Sequence, residues 1–172
     1  MRAVSMPAGG WRVRTAVAMV GPMGTGKTTL GRIVSLALRV QCTDTDCSLE
    51  ACLHVSIWQV FACLGEGQFR KWELQMGALS YAPITSHGGG SVALSQSRCR
   101  LRRTRCVHIE GSPREVARRL GAPCAERPLY RAFDLAMRRR RDILYRTSTM
   151  ASAQLGGLQP SQAAWNLLSA VG

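Results

Sequence analysis

Hydrophobic and polar positions along this chain switch repeatedly between the continuous runs of buried strands and the spacing of amphipathic helices. Thr15-Ala-Val-Ala-Met-Val20 is a short apolar run and predicts a strand. Leu30, Ile33, Val34 and Ala37 fall at helical spacing and predict a helix over 30–38. Arg39 to Thr43 reads as a second strand that runs into Asp44-Thr-Asp46. Ser48 to His54 predicts a short helix, and Ser56 a cap for another from Ile57 to Leu64. Gly65-Glu-Gly67 interrupts the pattern before Phe69, Trp72, Met76 and Leu79 give a longer helix its stripe. Tyr81 to His87 reads as a strand with Pro83 inside it, ending in Gly88-Gly-Gly90. A proline there lacks a ladder donor, which a central strand tolerates poorly.

Arg105 to Glu110 is a further strand by composition. Ser112-Pro-Arg-Glu115 supplies an N-cap, a proline at the first helical position and a capping-box glutamate, and that helix is expected to end near Gly121. Ala122 to Leu129 is loop-like, Tyr130 to Tyr145 a basic helix, and Thr147 to Ser152 a last strand. Past Gly156, Gly157 and Pro160, a terminal helix aligns Ala164, Leu167, Leu168 and Val171 on one face. Strands alternating with helices predict an α/β fold whose parallel sheet is covered on both faces. No internal repeat is present.

At 172 residues the chain suits one domain. Residues 1–12 are expected to form a flexible arm and residues 13–172 the domain. No apolar run approaches the ~20 residues of a membrane span, and no signal-peptide pattern follows the early arginines, so the expected location is cytoplasmic. The seven cysteines are odd in number and lack zinc-site spacing. They read as reduced, small apolar residues. The formal charge of +13 favours anionic partners. Its densest cluster is Arg138-Arg-Arg-Arg141, with a looser one over residues 98–105. No aromatic residues interleave with either, as a nucleic-acid stacking platform would require.

Gly21-Pro-Met-Gly-Thr-Gly-Lys-Thr28 satisfies G-x-x-x-x-G-K-[ST] at every fixed position, between a predicted strand and a predicted helix. Backbone N–H groups of Gly21, Pro22's successor Met23, Gly24, Thr25 and Gly26, with the helix dipole behind them, suit a nucleotide's phosphates. Lys27 would reach the outer phosphates, the Thr28 hydroxyl would ligate Mg²⁺, and Thr29 follows in the same turn.

In order along the chain stand this loop, Asp44-Thr-Asp46, Gly65-Glu-x-x-Phe-Arg70-x-x-Glu73, Gly88-Gly-Gly-Ser-Val92, Arg127-Pro-Leu129 and Leu144-Tyr145. Together they resemble the shikimate kinase family over roughly residues 15 to 170. The resemblance implies a P-loop kinase fold, a three-layer α/β/α sandwich with a central parallel sheet of about five strands and a lid near 121–131. It implies ATP-dependent phosphorylation of the 3-hydroxyl of shikimate by a monomer. Asp44 would help hold Mg²⁺, through water, beside Thr28. Asp46 would bind the ring hydroxyls and orient or deprotonate the attacking one. Arg70 and Arg141 would grip the substrate carboxylate, while Gly88, Gly89 and Gly90 approach the ring. Arg127 would reach the transferred phosphoryl, and Arg119 stands near the family's adenine-packing arginine.

Other readings of the same residues stay open. Asp44 and Asp46 could cap a helix. Arg70 and Glu73 could be a surface ion pair worth under about 1 kcal/mol. Arg140 could replace Arg141. A gluconate or nucleoside monophosphate kinase shares the loop, but Gly-Gly-Gly-Ser-Val92 and Phe69-Arg70 speak against it. A catalytically silent binding protein with a basic surface is the alternative of another class.

Overall fold

The computed structural model describes residues 16–80, 82–120, 135–154 and 160–171. The expected arm (1–12), the lid (121–131) and Arg127 lie outside them. Five strands form one sheet: β1 (Val17–Val20), β2 (Cys42–Asp44), β3 (Ile84–Ser86), β4 (Arg105–Glu110) and β5 (Ala151–Gln154). Their order is β2-β3-β1-β4-β5, and every pairing is parallel. The helices are α1 (Lys27–Leu38), α2 (Thr45–Leu53), α3 (Ile57–Leu79), α4 (Ser95–Leu101), α5 (Pro113–Leu120), α6 (Leu135–Ser148) and α7 (Pro160–Val171).

The two-residue period of a strand divides β1 between the two faces of the sheet. Val17 and Met19 join Leu30 and Val34 of α1, Ile84, Val107, Ile109, Ala153, and Ala163, Ala164 and Leu167 of α7 in one core. Ala18 and Val20 join Cys106, Val92, Leu101 of α4 and Tyr145 of α6 in a core on the opposite face. A third, smaller core of Leu49, Val60 and Phe69 ties α2 to α3. The three layers match the expected sandwich. Among the described residues no single helix is long and apolar enough to cross a membrane.

β1 lies between β3 and β4, so the chain leaves it toward neighbours on both sides. In open parallel sheets the crevice at such a switch point, at the carboxyl ends of the strands, is where ligands bind. The phosphate-loop motif follows β1, Asp44 closes β2, and Gly88–Gly90 follow β3. Three of the chain's chemical motifs therefore open on one rim.

Several element boundaries differ from the sequence reading. Arg39 is not in a strand: at φ 55° it caps α1, its N–H bonding the carbonyls of Leu36 and Ser35. The strand it was expected to start begins at Cys42. Asp44 caps α2, so that helix starts at Thr45, three residues before Ser48. Gly65, at φ 74°, kinks α3 between its two expected halves. α4 was not anticipated, since Leu101 is its one buried residue. Thr147 and Ser148 complete α6, and β5 begins only at Ala151.

Pro83 is the correction with consequences. β3 starts at Ile84, so the missing N–H falls one residue before the strand. The Pro83 carbonyl is used, accepting from Val17 N–H at 2.8 Å. The strand beside the site is thus not interrupted. Pro83→Ala is expected to shift the free energy of unfolding by less than about 1 kcal/mol, chiefly through the unfolded chain. Urea denaturation would measure it, and a gain of several kcal/mol would show that the proline does break the sheet.

Candidate active site

The turn from β1 into α1 is built for an anion. Gly26, at φ 92°, caps α1 without any side-chain bond to its first N–H groups. A residue with a β-carbon takes that conformation at a cost, and glycine does not. The start of α1 therefore offers free donors and the positive end of its dipole to a phosphate. Thr25 folds the loop back on itself, its hydroxyl donating to the Pro22 carbonyl at 2.9 Å. Lys27 Nζ donates to the carbonyls of Gly21 and Pro22 at 2.9 and 2.8 Å. Burial pushes its pKa down to about 8, against the pull of Asp46 and Asp44.

Asp44 serves both helices that flank it. Its Oδ1 accepts from the N–H groups of Asp46 and Cys47, at 3.0 and 3.3 Å, and so caps α2. Its Oδ2 accepts from the Thr28 hydroxyl at 2.6 Å. The cap on α2 leaves the other carboxylate oxygen beside the phosphate loop. The cap also fixes Asp46 in the first turn of α2, facing the rim.

Asp46 meets a second carboxylate there. A β-carbon on Gly88 would lie 2.7 Å from Glu73 Oε1 and closer still to Asp46 Oδ1. Burial, then the charges of Glu73 and Asp44, push Asp46 up to about 7, with Lys27 opposing. Burial raises Glu73 as well, opposed first by Arg70.

Arg70 is not on the surface. It is 7% exposed and donates to Glu73 Oε2 at 2.6 Å and to Glu66 Oε1 at 2.9 Å. Its guanidinium carbon lies 5.1 Å from the centroid of the Phe69 ring. Burial works against its charge, but Glu73 and Glu66 more than offset this, and its pKa rises. The alternative of a surface ion pair does not hold: the pair with Glu73 is buried. Removing Arg70 would strip the buried Glu73 carboxylate of its hydrogen-bonded cation.

The glycine triplet is explained by close approach rather than by unusual dihedrals. Gly88 sits against Asp46 and Glu73, Gly90 against the Arg70 guanidinium, and Gly89 against Met23 N of the phosphate loop. The segment is pinned from two helices. Gly88 N–H donates to Thr45 Oγ1 at 3.0 Å, and the Tyr145 hydroxyl donates to the Gly89 carbonyl. Neither Thr45 nor Tyr145 was singled out as a site residue from sequence. Tyr145 carried a signal in the Leu144-Tyr145 pair, and Glu73 in the Phe-Arg-x-x-Glu motif.

Arg141 is half-buried, and its charge acts on both Glu73 and Tyr145, whereas Arg140 is exposed. Arg119 of α5 donates to the carbonyls of Thr25 and Gly24 at 3.1 and 3.5 Å. It therefore stands over the phosphate loop. Beside the loop, then, converge the helix-borne Arg70, Arg119 and Arg141, the carboxylates of Asp44, Asp46 and Glu73, and Gly88–Gly90. The rim thus sets a phosphate-binding turn beside a cluster of charged groups and close-packed glycine backbone.

A sequence model of shikimate kinases matches residues 23–169. The shikimate kinase of Corynebacterium diphtheriae is 34% identical over 165 residues, covering 91% of this chain and 94% of its own. That of Rhodococcus erythropolis is 33% identical over 159 residues, covering 88% and 94%. In three dimensions, the shikimate kinase of Acinetobacter baumannii, solved in complex with shikimate, superposes with a TM-score of 0.81 at 26% identity. It covers 90% of this chain and 91% of its own. A gluconokinase from Sinorhizobium meliloti, at 12% identity and a TM-score of 0.53, shares the fold alone. On the strength of this match, together with the phosphate loop and the paired acidic and basic groups beside it, the chain belongs to the shikimate kinase family.

Proposed function

We propose that this chain transfers the γ-phosphoryl group of ATP to the 3-hydroxyl of shikimate. One observation carries the reading: Asp46, Glu73, Arg70 and Gly88–Gly90 close on one another beside the phosphate loop. Phosphoryl transfer needs positioning and charge stabilisation more than covalent chemistry. Lys27 is buried at the loop, able to trade its two carbonyl partners for phosphate oxygens. Arg70 offers a planar fork held by Glu66 and Glu73, which suits a carboxylate better than a point charge would. Arg141 supplies a second cation on the same side. Asp46 provides the acceptor that the attacking hydroxyl requires. Arg127 completes the proposal as the residue that reaches the transferred phosphoryl from the lid, and Arg119 as a contact to the nucleotide.

A magnesium ion fits the donors present. Thr28 and Asp44 bring a hydroxyl and a carboxylate oxygen to the phosphate loop, both hard ligands. Among the described residues no three His, Cys, Asp or Glu side chains are grouped to hold a metal. Thr28 would ligate such an ion directly and Asp44 through water, with the nucleotide supplying further oxygens. When bound it would neutralise charge on the outer phosphates. Thr28 and Asp44 would hold it, and Asp44 would keep its cap on α2 through the other oxygen.

ADP release coupled to a dehydrogenase, with shikimate, gluconate and AMP as acceptors, tests the assignment. Turnover is expected with shikimate, and Asp46→Asn is expected to lower kcat by at least about 10²-fold. Turnover with gluconate or AMP and none with shikimate would overturn it.

The same site predicts a pH profile. Asp46 must be ionised to accept a proton, and Lys27 must stay charged to face phosphate. Their values, about 7 and about 8, predict a bell-shaped kcat/KM with its maximum between them. The two groups act on each other, so the limbs belong to the pair. A profile flat across that interval would contradict the assignment.

Stability should run the other way. The folded chain holds the Asp46 proton up to about 7, above the ordinary 3.8, so it binds that proton more tightly than the unfolded chain. This group's contribution is complete below 3.8 and is lost as the pH rises through about 7. Asp46→Asn should therefore raise the Tm at about pH 8 while removing activity. An unchanged or lower Tm there would show that the carboxylate is not under that strain.

A further inference from the structure

Tyr145 is completely buried in the core between α4, α6 and β4. Its ring stacks on His108 of β4, with centroids 4.8 Å apart and planes 20° from parallel. His108 is itself 3% exposed and sits in register with Val20, the residue before the phosphate loop. The far end of Tyr145 leaves this apolar core and donates to the Gly89 carbonyl. Burial raises the phenol's pKa, so it remains a donor through the neutral range. Arg141 lies one helical turn earlier on α6, at the spacing that places two side chains on one face.

We infer that Tyr145 is a positioning residue for the acceptor: its hydroxyl fixes the Gly89 peptide, and its stacked ring fixes α6 so that Arg141 meets the same pocket. The claim rests on the proposed reading of the pocket as the acceptor site. Gly89 has no side chain with which to anchor itself, and its neighbours are held by contacts on other faces. Thr45 holds Gly88 from α2, and Tyr145 holds Gly89 from α6. The stack on His108 passes the position of α6 to the sheet, next to the strand that ends at the phosphate loop. Loss of the hydroxyl alone would leave the core filled but free the Gly89 carbonyl. Gly89 packs against Met23 N of the phosphate loop without a hydrogen bond between them, and the loop keeps its own turn through Thr25 and Lys27, so its donors should stay in place.

Tyr145→Phe tests this in the full chain, with the KM for shikimate and for MgATP measured separately. The KM for shikimate is expected to rise about tenfold, the equivalent of one buried hydrogen bond, with the KM for MgATP changed less than about twofold. Ser148→Ala, which removes another buried hydroxyl from the same helix, should move neither constant. The inference is overturned if Tyr145→Phe leaves the shikimate KM unchanged, raises both constants together, or is matched by Ser148→Ala. A measurement on the unaltered protein keeps the claim exposed should the variant not fold. Nuclear Overhauser contacts from the Tyr145 ring and hydroxyl protons to Gly89 and Gly90 are expected, and their absence would also overturn it. That reading does not depend on the acceptor. A wild-type chain inactive on shikimate but showing those contacts would count against the proposed substrate, not against the clamp.

Discussion

Two carboxylates, the half-buried Asp46 and the buried Glu73, press on the same glycine, and much of the rim's construction follows from what that requires. An isolated buried charge costs far more than a domain's margin of stability can absorb. Here the charges are offset from both sides. Arg70 bonds Glu73 directly at 2.6 Å, and Lys27 favours the charged form of Asp46. The offset is incomplete for Asp46, which holds its proton up to about 7. Glu73 Oε1 has no hydrogen-bond partner among the described residues. An unpaired buried acceptor is what a site for a hydroxylated ligand should contain, since such a ligand supplies the missing donors.

The glycine triplet is the steric counterpart of that arrangement. With both carboxylates and the Arg70 guanidinium pressed onto the backbone, no β-carbon fits at Gly88 or Gly90 without displacing them. Three separate elements must deliver these groups: the first turn of α2, the second half of α3 and the segment after β3. Parallel strand order does this, because β2, β3 and β1 are adjacent and end on one edge. Asp44 joins the halves, with one oxygen on α2 and the other on Thr28 of α1. The kink at Gly65 lets α3 change course before Phe69 and Arg70 turn inward.

The fold class and most elements were legible because they rest on local pattern. β1 and β4 are continuous buried runs, and β4 was read to the residue. Boundaries failed where one residue has two possible jobs. Arg39 looks like the start of a strand yet serves as a left-handed cap, and Asp44 ends a strand and begins a helix. Pro83 looked harmful only because the strand was read three residues too long at its start. α4 carries no periodic signal, because it buries little beyond Leu101.

The site was legible in a different way. Its motifs announced Lys27, Asp46, Arg70 and the glycines, but not the reasons for them. That Arg70 is buried, that two carboxylates face one glycine, and that Tyr145 reaches Gly89 are all long-range facts. They depend on how α2, α3 and α6 meet around β3, which no local pattern encodes. The choice between Arg140 and Arg141 was of this kind too. The face of α6 sets Arg141's charge on Glu73 and leaves Arg140 exposed.

In the proposed function, a compensated charge cluster around Gly88 selects the substrate carboxylate through the Arg70 fork. Calorimetric titration of shikimate into the wild type and into Arg70→Lys tests this most directly. The lysine keeps the charge and the pairing with Glu73 but loses the fork. Saturable one-to-one binding by the wild type, weakened about tenfold or more in Arg70→Lys, is the result predicted. Equal affinity in the two proteins, or no binding by either, would contradict it.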